Sequence, residues 1–490
     1  MNAASSTGTI SFRHTSADAG PREISGKLAR LTLFILLCAL AGGVAVAMAD
    51  VSGLVLCLTI IAAVLVMLDF RVGVVLLIVM MPIGASQIFP RSMLGVTGLN
   101  PVNLLMLATL ASFLVRGHMP GVLARLAPRS LVWFYVVPFI VVGVLGTRHV
   151  DEILPYIYLD TLVFKADMTT YVRDYLIKPL LLVVFALLVG AGVARSKDPE
   201  NFIAPVIVSV WLICLMVVGF FIYSGANLSN AGASTRSFLS PLGLHANDLG
   251  RLAATAYALL LFTWASTPRL GLKFALFGTM GVVVIALLLT FSRGAFFGFI
   301  VVNGLFLISR RNRNAWSMIL IAVGLVVAAV ALPGVFLSRL ETGFNVDANA
   351  VTAGRIDDIW LPLLPEFLST PPWGNGIAAI LWSDAMRGGF MLPVEHPHNA
   401  YLRVLLDMGV IGLVLVCSYF YIVWKGFRQL SADPALTPTM RGFYDGAAAG
   451  LLSFLIAGMA GSGLTPNGEQ MFLWVAIGMM YGERARRMTN

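Results

Sequence analysis

Charge is scarce in this chain: of 490 residues only 12% are Asp, Glu, Lys or Arg against 58% apolar, and the mean hydropathy is +0.88. That excludes a soluble globular domain, which carries about 25% charged residues. Cysteine is equally sparse. Cys38, Cys57, Cys214 and Cys417 lie inside apolar runs at scattered spacing, which fits neither a disulfide framework nor a zinc site and leaves them as packing residues. There is no internal repeat and no low-complexity tract. "GNGIAA" at Gly374 has the glycine spacing of a dinucleotide loop, but it follows Pro371 and Pro372 rather than a strand, so it reads as a turn and implies no nucleotide. The formal charge of +9 comes from basic residues dispersed among short loops. A nucleic-acid partner would want them gathered in one stripe, so none is implied.

What the chain does have is apolar runs of the length a bilayer requires, about 20 helical residues each. The expected fold is an all-α polytopic membrane protein. Spans fall near residues 31 to 49, 51 to 68, 72 to 88, 102 to 115, 131 to 146, 175 to 193, 202 to 223, 252 to 265, 270 to 291, 295 to 308, 316 to 337, 401 to 424, 443 to 463 and 470 to 481. The fourth, tenth and last are short, so 12 to 14 helices are expected. Residues 1–26, polar and without periodicity, read as a disordered cytoplasmic tail, and residues 27–490 as a single membrane domain. Ala47 and Ala49 mimic a signal-peptidase site, but a signal peptide has a short basic leader, so the first span reads as a retained helix.

With the N-terminus inside, most of the 33 Lys and Arg fall on cytoplasmic segments, the clearest anchors being Arg310, Arg311 and Arg313, then Lys425 and Arg428, then Arg484, Arg486 and Arg487. Both termini are then cytoplasmic. The long connections 147–174, 224–251 and above all 338–400 lie outside. In the last of these Ile356, Ile359, Trp360, Leu363, Leu364 and Phe367 share one helical face, an amphipathic segment suited to the outer leaflet. Pro362 and Pro365 are expected to kink it or break it into two turns.

Titratable groups gather at one junction, "EHPHNAYLRVLLDMGVIG" from Glu395 to Gly412. His398 stands just before a helix running without interruption from Tyr401, with Asn399 at its N-cap. Positive charge at a helix N-terminus favours a neutral imidazole able to accept a proton; an interfacial histidine that merely caps the helix is the alternative. Gly409 and Gly412 share nearly one face, where another helix could approach closely. Arg403 and Asp407, four apart, are expected to pair. Glu395, His396 and His398 could hold a metal, but H-x-H alone is a weak signal and nothing completes a ligand set. Three arginines lie outside, where few are expected: Arg236, Arg293 in "TFSRGAFFG" and Arg355 in "TAGRIDDIW". They either touch lipid headgroups or converge on one phosphorylated substrate, whose oxygens suit the planar guanidinium.

His398-Asn399, nine residues, Gly409, two residues, Gly412 resembles the H-[NSQ]-x(9)-G-x-x-[GTY] pattern of bacterial O-antigen ligases, within a wider superfamily of glycan ligases, polymerases and protein O-oligosaccharyltransferases. Arg236 through Asn247, "SRG" at Ser292 and "GRIDDIWLPLLPEFLSTPPWGNGI" resemble further landmarks, so the likeness covers about residues 225–420. It implies an inner-membrane enzyme with a periplasmic active site. It implies a glycan carried on undecaprenyl diphosphate and transferred whole to an acceptor hydroxyl, without nucleotide or other cofactor and, for ligases, without metal. His398 corresponds to the essential histidine, and Arg236, Arg293 and Arg355 to arginine positions that bind diphosphate. Asn399, Gly409 and Gly412 complete the motif. A lipid A-core acceptor would make a ligase, and a growing polysaccharide chain a polymerase. A transporter or flippase is the reading from another class, but its internal repeats and midplane charges are missing.

Overall fold

The computed structural model describes residues 53–84, 100–116, 126–154, 167–225, 234–309 and 354–487, short pieces between 86 and 97 and between 157 and 164, and positions 349 and 352. The tail at 1–26, the spans expected at 31–49 and 316–337 and most of residues 310–353 lie outside these. Met1–Ile61 and Ala62–Asn490 form separate compact units. The first contributes the start of helix α1, Gly53–Leu68, and all that follows concerns the second.

Among the described residues its longer helices are α2, Phe70–Met80; α3, Pro101–Arg116; α4, Arg129–Glu152; α5, Met168–Ala194; α6, Pro199–Tyr223; α7, Ala246–Ser266; α8, Leu270–Leu289; α9, Arg293–Ile308; α10, residues 356–369; α11, Ala400–Ala432; α12, Pro438–Ala457; and α13, Met471–Arg487. Each expected span within the described residues falls on one of them. Helices α4, α5, α6, α8, α11 and α12 are long and apolar enough to cross a membrane, and the protein is an all-α polytopic membrane protein. Two small antiparallel hairpins that periodicity does not reveal, Ser92–Met93 with Val96–Thr97 and Ile157–Leu159 with Leu162–Phe164, sit in the connections.

Among the described residues three helices carry a π turn, Val132–Val136, Val172–Ile177 and Ile356–Trp360, and each of these turns ends two residues before a proline, Pro138, Pro179 or Pro362. A proline ring clashes with the carbonyl four residues back and removes one donor. A wider turn gives that carbonyl room. Accordingly Pro362 and Pro365 do not divide the amphipathic segment: α10 continues through Leu361–Ser369 with Pro365 inside it. The Asp358 carbonyl, four residues before Pro362, instead accepts from Leu392 N at 3.0 Å.

Lipid is as apolar as leucine, so close backbone approach rather than water exclusion packs the interior. Helix α12 lays Gly442, Gly446 and Gly450 along α7, where side chains would run into the Phe262 and Ala258 carbonyls and Thr255. Gly478 and Gly482 of α13 sit in the same way on the Ala186 and Gly190 carbonyls of α5. Helix α13 is buried from Met471 to Tyr481, its Trp474 packed with Tyr135 and Tyr419. Cys214 is buried as expected, but Cys417 is exposed, pointing away from the helices rather than packing between them.

Loop contacts sort the helix ends into two sets. Phe221 against Phe238, Arg236 on Phe291 and Arg251 on Glu469 gather the ends of α6 and α8 with the starts of α7, α9 and α13. At the other set Glu200 pairs with Arg269 at 3.1 Å and accepts from Thr437 at 2.9 Å.

Candidate active site

Helix α11 begins where the Asn399 side chain accepts from Tyr401 N at 3.0 Å and Leu402 N at 3.2 Å, the N-cap expected of it. His398, one residue earlier, has φ +53°, the left-handed region that costs a residue with a Cβ about 1–2 kcal/mol. Its surroundings hold it there. Its own N–H donates to His396 Nδ1 at 3.2 Å, Arg355 Nη1 reaches its carbonyl at 3.5 Å, and Trp360 Nε1 donates to the Pro397 carbonyl at 2.7 Å. The start of α10 therefore clamps the turn that carries His398.

Around the His398 ring stand His396, centroids 4.4 Å apart and nearly perpendicular, and His245 at 6.4 Å. His245 is the N-cap of α7 and its Nδ1 accepts from Asn247 N at 3.2 Å. Because Nδ1 accepts in both His245 and His396, the neutral form of each carries its proton on Nε2. Burial, then the Arg355 charge and then His245, push His398 down to about 3, and burial with the neighbouring His398 and Arg403 holds His396 well below its ordinary range. Both imidazoles are thereby held toward the neutral form.

The arginines reach this turn from three elements. Arg236, on the 3-10 turn Ser234–Leu242, donates from Nη2 to the Phe291 carbonyl at 2.6 Å. Phe291 has φ +49° and is followed by Ser292, which caps α9 by accepting from Ala295 N at 3.3 Å and donates to Asn247 Oδ1 at 2.8 Å. Arg293 is the first residue of α9 and lies within electrostatic reach of Arg355, whose proton affinity is lowered first by burial and then by Arg293. His398, Arg355 and Arg293 are thus close together, and Arg236 is tied to the backbone beside Arg293.

Two expectations along α11 are corrected. The helix is not continuous: Gly409 has φ +66° and ψ −173° and breaks it. What approaches Gly409 is a loop and not a helix, since a Cβ there would meet the Pro372 and Pro371 carbonyls. The segment around Gly374 docks into the break through Asn375 N on Leu406 O at 3.1 Å, Gly376 N on Asp407 O at 3.0 Å and Ile411 N on Pro372 O at 3.0 Å. Gly412 faces the Met408 side chain of its own helix. Arg403 and Asp407 pair as expected, at 3.5 Å, and Asp407 also accepts from Ala379 N at 3.0 Å.

The sequence alone gives His245, Asn247 and the pair Arg251 and Glu469 no individual role, and it reads Trp360 as part of an apolar helical face rather than as the clamp on the His398 turn. That pair is the most deeply buried ion pair among the described residues, Arg251 2% and Glu469 0% exposed, with Nη1 at 2.7 Å from both carboxylate oxygens. It fixes α7 to the start of α13. The available signal was a charge inside an otherwise apolar helix, which in a membrane demands a partner.

Fold and site together define a class, a many-helix membrane protein that collects neutral histidines and arginines at one end of the bundle. Residues 278–417 of this chain match the family model described as O-antigen ligase, a segment that holds Arg293, Arg355, His398, Asn399, Gly409 and Gly412. The chain is also similar to two curated proteins that carry the name "Putative polysaccharide ligase". The one from Rickettsia conorii is 25% identical over 263 residues, 51% of this chain and 61% of that protein. The one from Rickettsia felis is 25% identical over 218 residues, 41% of this chain and 51% of that protein. The chain thus spans only about half to three fifths of the length of these curated relatives.

Proposed function

We propose that this protein is a membrane glycosyltransferase of the O-antigen ligase type, moving a glycan en bloc from undecaprenyl diphosphate to an acceptor hydroxyl on the periplasmic face. The observation that carries this is His398, held neutral in a strained turn directly beside Arg355 and near Arg293. Diphosphate is already a fair leaving group and needs its developing charge stabilised, a task for which guanidinium forks are suited. The acceptor oxygen attacks the anomeric carbon as the bond from that carbon to phosphate breaks. The hydroxyl proton passes to the His398 imidazole, and undecaprenyl diphosphate leaves against Arg236, Arg293 and Arg355. One direct displacement inverts the anomeric configuration.

A deletion strain examined for lipopolysaccharide banding and secreted polysaccharide tests this. Loss of long-chain bands with accumulation of lipid-linked polymer is expected of a ligase acting on lipid A-core. Products shortened to single repeats would assign the same chemistry to polymerisation, and a strain with both patterns intact would overturn the reading.

A further inference from the structure

The pair Arg251 and Glu469 calls for more than packing. Apolar side chains of similar bulk often serve stability as well as a buried ion pair or better, and a charge buried among membrane helices asks for a role. The neighbours of the pair lead from one histidine of the site to the other. Arg251 lies six residues along from His245, the cap of α7, and directly after Gly250, whose bare face lets Ser292 and Ala295 at the start of α9 come close. Asn247 Oδ1 accepts from Ser292 there at 2.8 Å. In the other direction Glu469 Oε1 accepts from Ser462 Oγ at 3.0 Å, and the Ser462 carbonyl accepts from Arg403 Nη1, in the first turn of α11, at 3.0 Å. Asp248 also hydrogen-bonds Glu469. Arg251 Nη2 donates to the Phe454 carbonyl at 3.4 Å, its guanidinium 4.1 Å from the centre of that ring, and the next carbonyl, Leu455, accepts from the Tyr401 hydroxyl at 2.7 Å. A Cβ on Gly458 would stand 3.5 Å from Arg251 Nη2 and 3.6 Å from the Ala400 side chain, and Ala400 is two residues past His398.

We propose that Arg251 and Glu469 are positioning residues of the site: the pair sets where α7, with His245, and α9, with Arg293, stand against the first turn of α11, and so how far His245 and Arg293 lie from His398. An apolar pair could fill the same space. It could not hold two directions at once, as Glu469 does with both oxygens 2.7 Å from Arg251 Nη1 while accepting from Ser462. The role rests on the transfer reading above, so its test includes a measurement that needs no turnover.

Two variants of the full chain in lipid nanodiscs, with nitrogen-labelled histidine, carry the test. Arg251→Met combined with Glu469→Leu removes both charges together, and such a replacement is often neutral or stabilising. Gly461→Ala keeps both charges but adds a methyl that would run into the Arg251 guanidinium, at a φ of −103° that alanine adopts freely; it carries the test where the double variant does not fold. In each, kcat is expected to fall about ten- to a hundredfold with donor KM unchanged, the cost of a misplacement of about 1 Å. The imidazole resonances of His245 and His398, assigned from His→Gln variants, are expected to move. Turnover at the wild-type rate in either folded variant, or a change in KM alone, overturns the positioning role. Unmoved resonances overturn it whether or not glycan is transferred. Shifted resonances in a protein that transfers no glycan would keep the pair's hold on the histidines and remove the transfer reading.

Discussion

Replacing Gly409 with alanine tests how the site end is built. With φ +66° and ψ −173° this residue occupies a region almost confined to glycine, and forcing another residue there costs about 1–3 kcal/mol. The added methyl would also overlap the Pro372 and Pro371 carbonyls, backbone atoms that cannot swing aside as a side chain would. Relief requires lifting the loop from α11, which gives up the hydrogen bonds of Asn375, Gly376 and Ile411 across the break, each about 1 kcal/mol. Strain that is relieved is not paid twice, so the loss is about 3–5 kcal/mol in all. Gly281→Ala is the comparison. It lies within α8, and its added methyl meets nothing within 4 Å, so the change should be neutral or raise stability by up to about 1 kcal/mol. Thermal unfolding of the two purified variants in nanodiscs measures the difference. If Gly409→Ala melted within a degree of the wild type, or Gly281→Ala melted lower than Gly409→Ala, the docked loop would not be what the glycine serves.

Other outcomes follow from the same geometry. His398→Ala is expected to insert, fold and bind lipid-linked donor while transfer falls by about 10²–10⁴, the usual worth of a lost general base; near-normal turnover would return His398 to a capping role. Trp360→Phe removes the 2.7 Å bond to the Pro397 carbonyl and should lower kcat about tenfold with donor KM unchanged, since it frees the turn without touching substrate; a change in KM alone would place Trp360 in the binding surface. Arg293→Lys keeps charge but loses the fork and is expected to lose most activity, whereas Arg387→Lys, on a residue paired with Glu152 at 3.2 Å and Asp384 at 2.6 Å, should not; equal activities would make Arg293 an ordinary surface charge. Stability should fall with pH in the window set by His398. Above about 6.5 the imidazole is neutral folded and unfolded, and between there and about 3 only the unfolded chain takes the proton. The loss is about 2 kcal/mol by pH 5, and His398→Ala should reduce the slope of the melting temperature against pH.

Much of this was legible from sequence because membrane helices declare themselves by length and apolarity, and because the cap at Asn399 and the pair Arg403 with Asp407 are relations within four residues. What was hidden depends on chain segments far apart. The left-handed turn at His398 needs Arg355 and Trp360, some forty residues earlier, to hold it. The break at Gly409 exists because Pro371 to Gly376 dock there, and no periodicity in α11 announces a partner that is not a helix. The prolines of α10 were visible, but their effect was misjudged, since a π turn upstream and Leu392 on the freed carbonyl of Asp358 together supply what the missing N–H and the crowded ring would take away.

A histidine pushed down to about 3 by burial and then by Arg355 is a poor base on its own, because proton transfer is most effective when the pKa lies near the operating pH. The part of the depression that Arg355 causes has a remedy. On the transfer reading, a diphosphate seated on the arginines would bring negative charge beside Arg355 and so raise the proton affinity of His398. The base would then be competent only with donor in place, and an acceptor arriving first would meet an imidazole unable to take its proton. Strain at φ +53° serves the same order, since a turn fixed before substrate arrives need not be organised during the reaction.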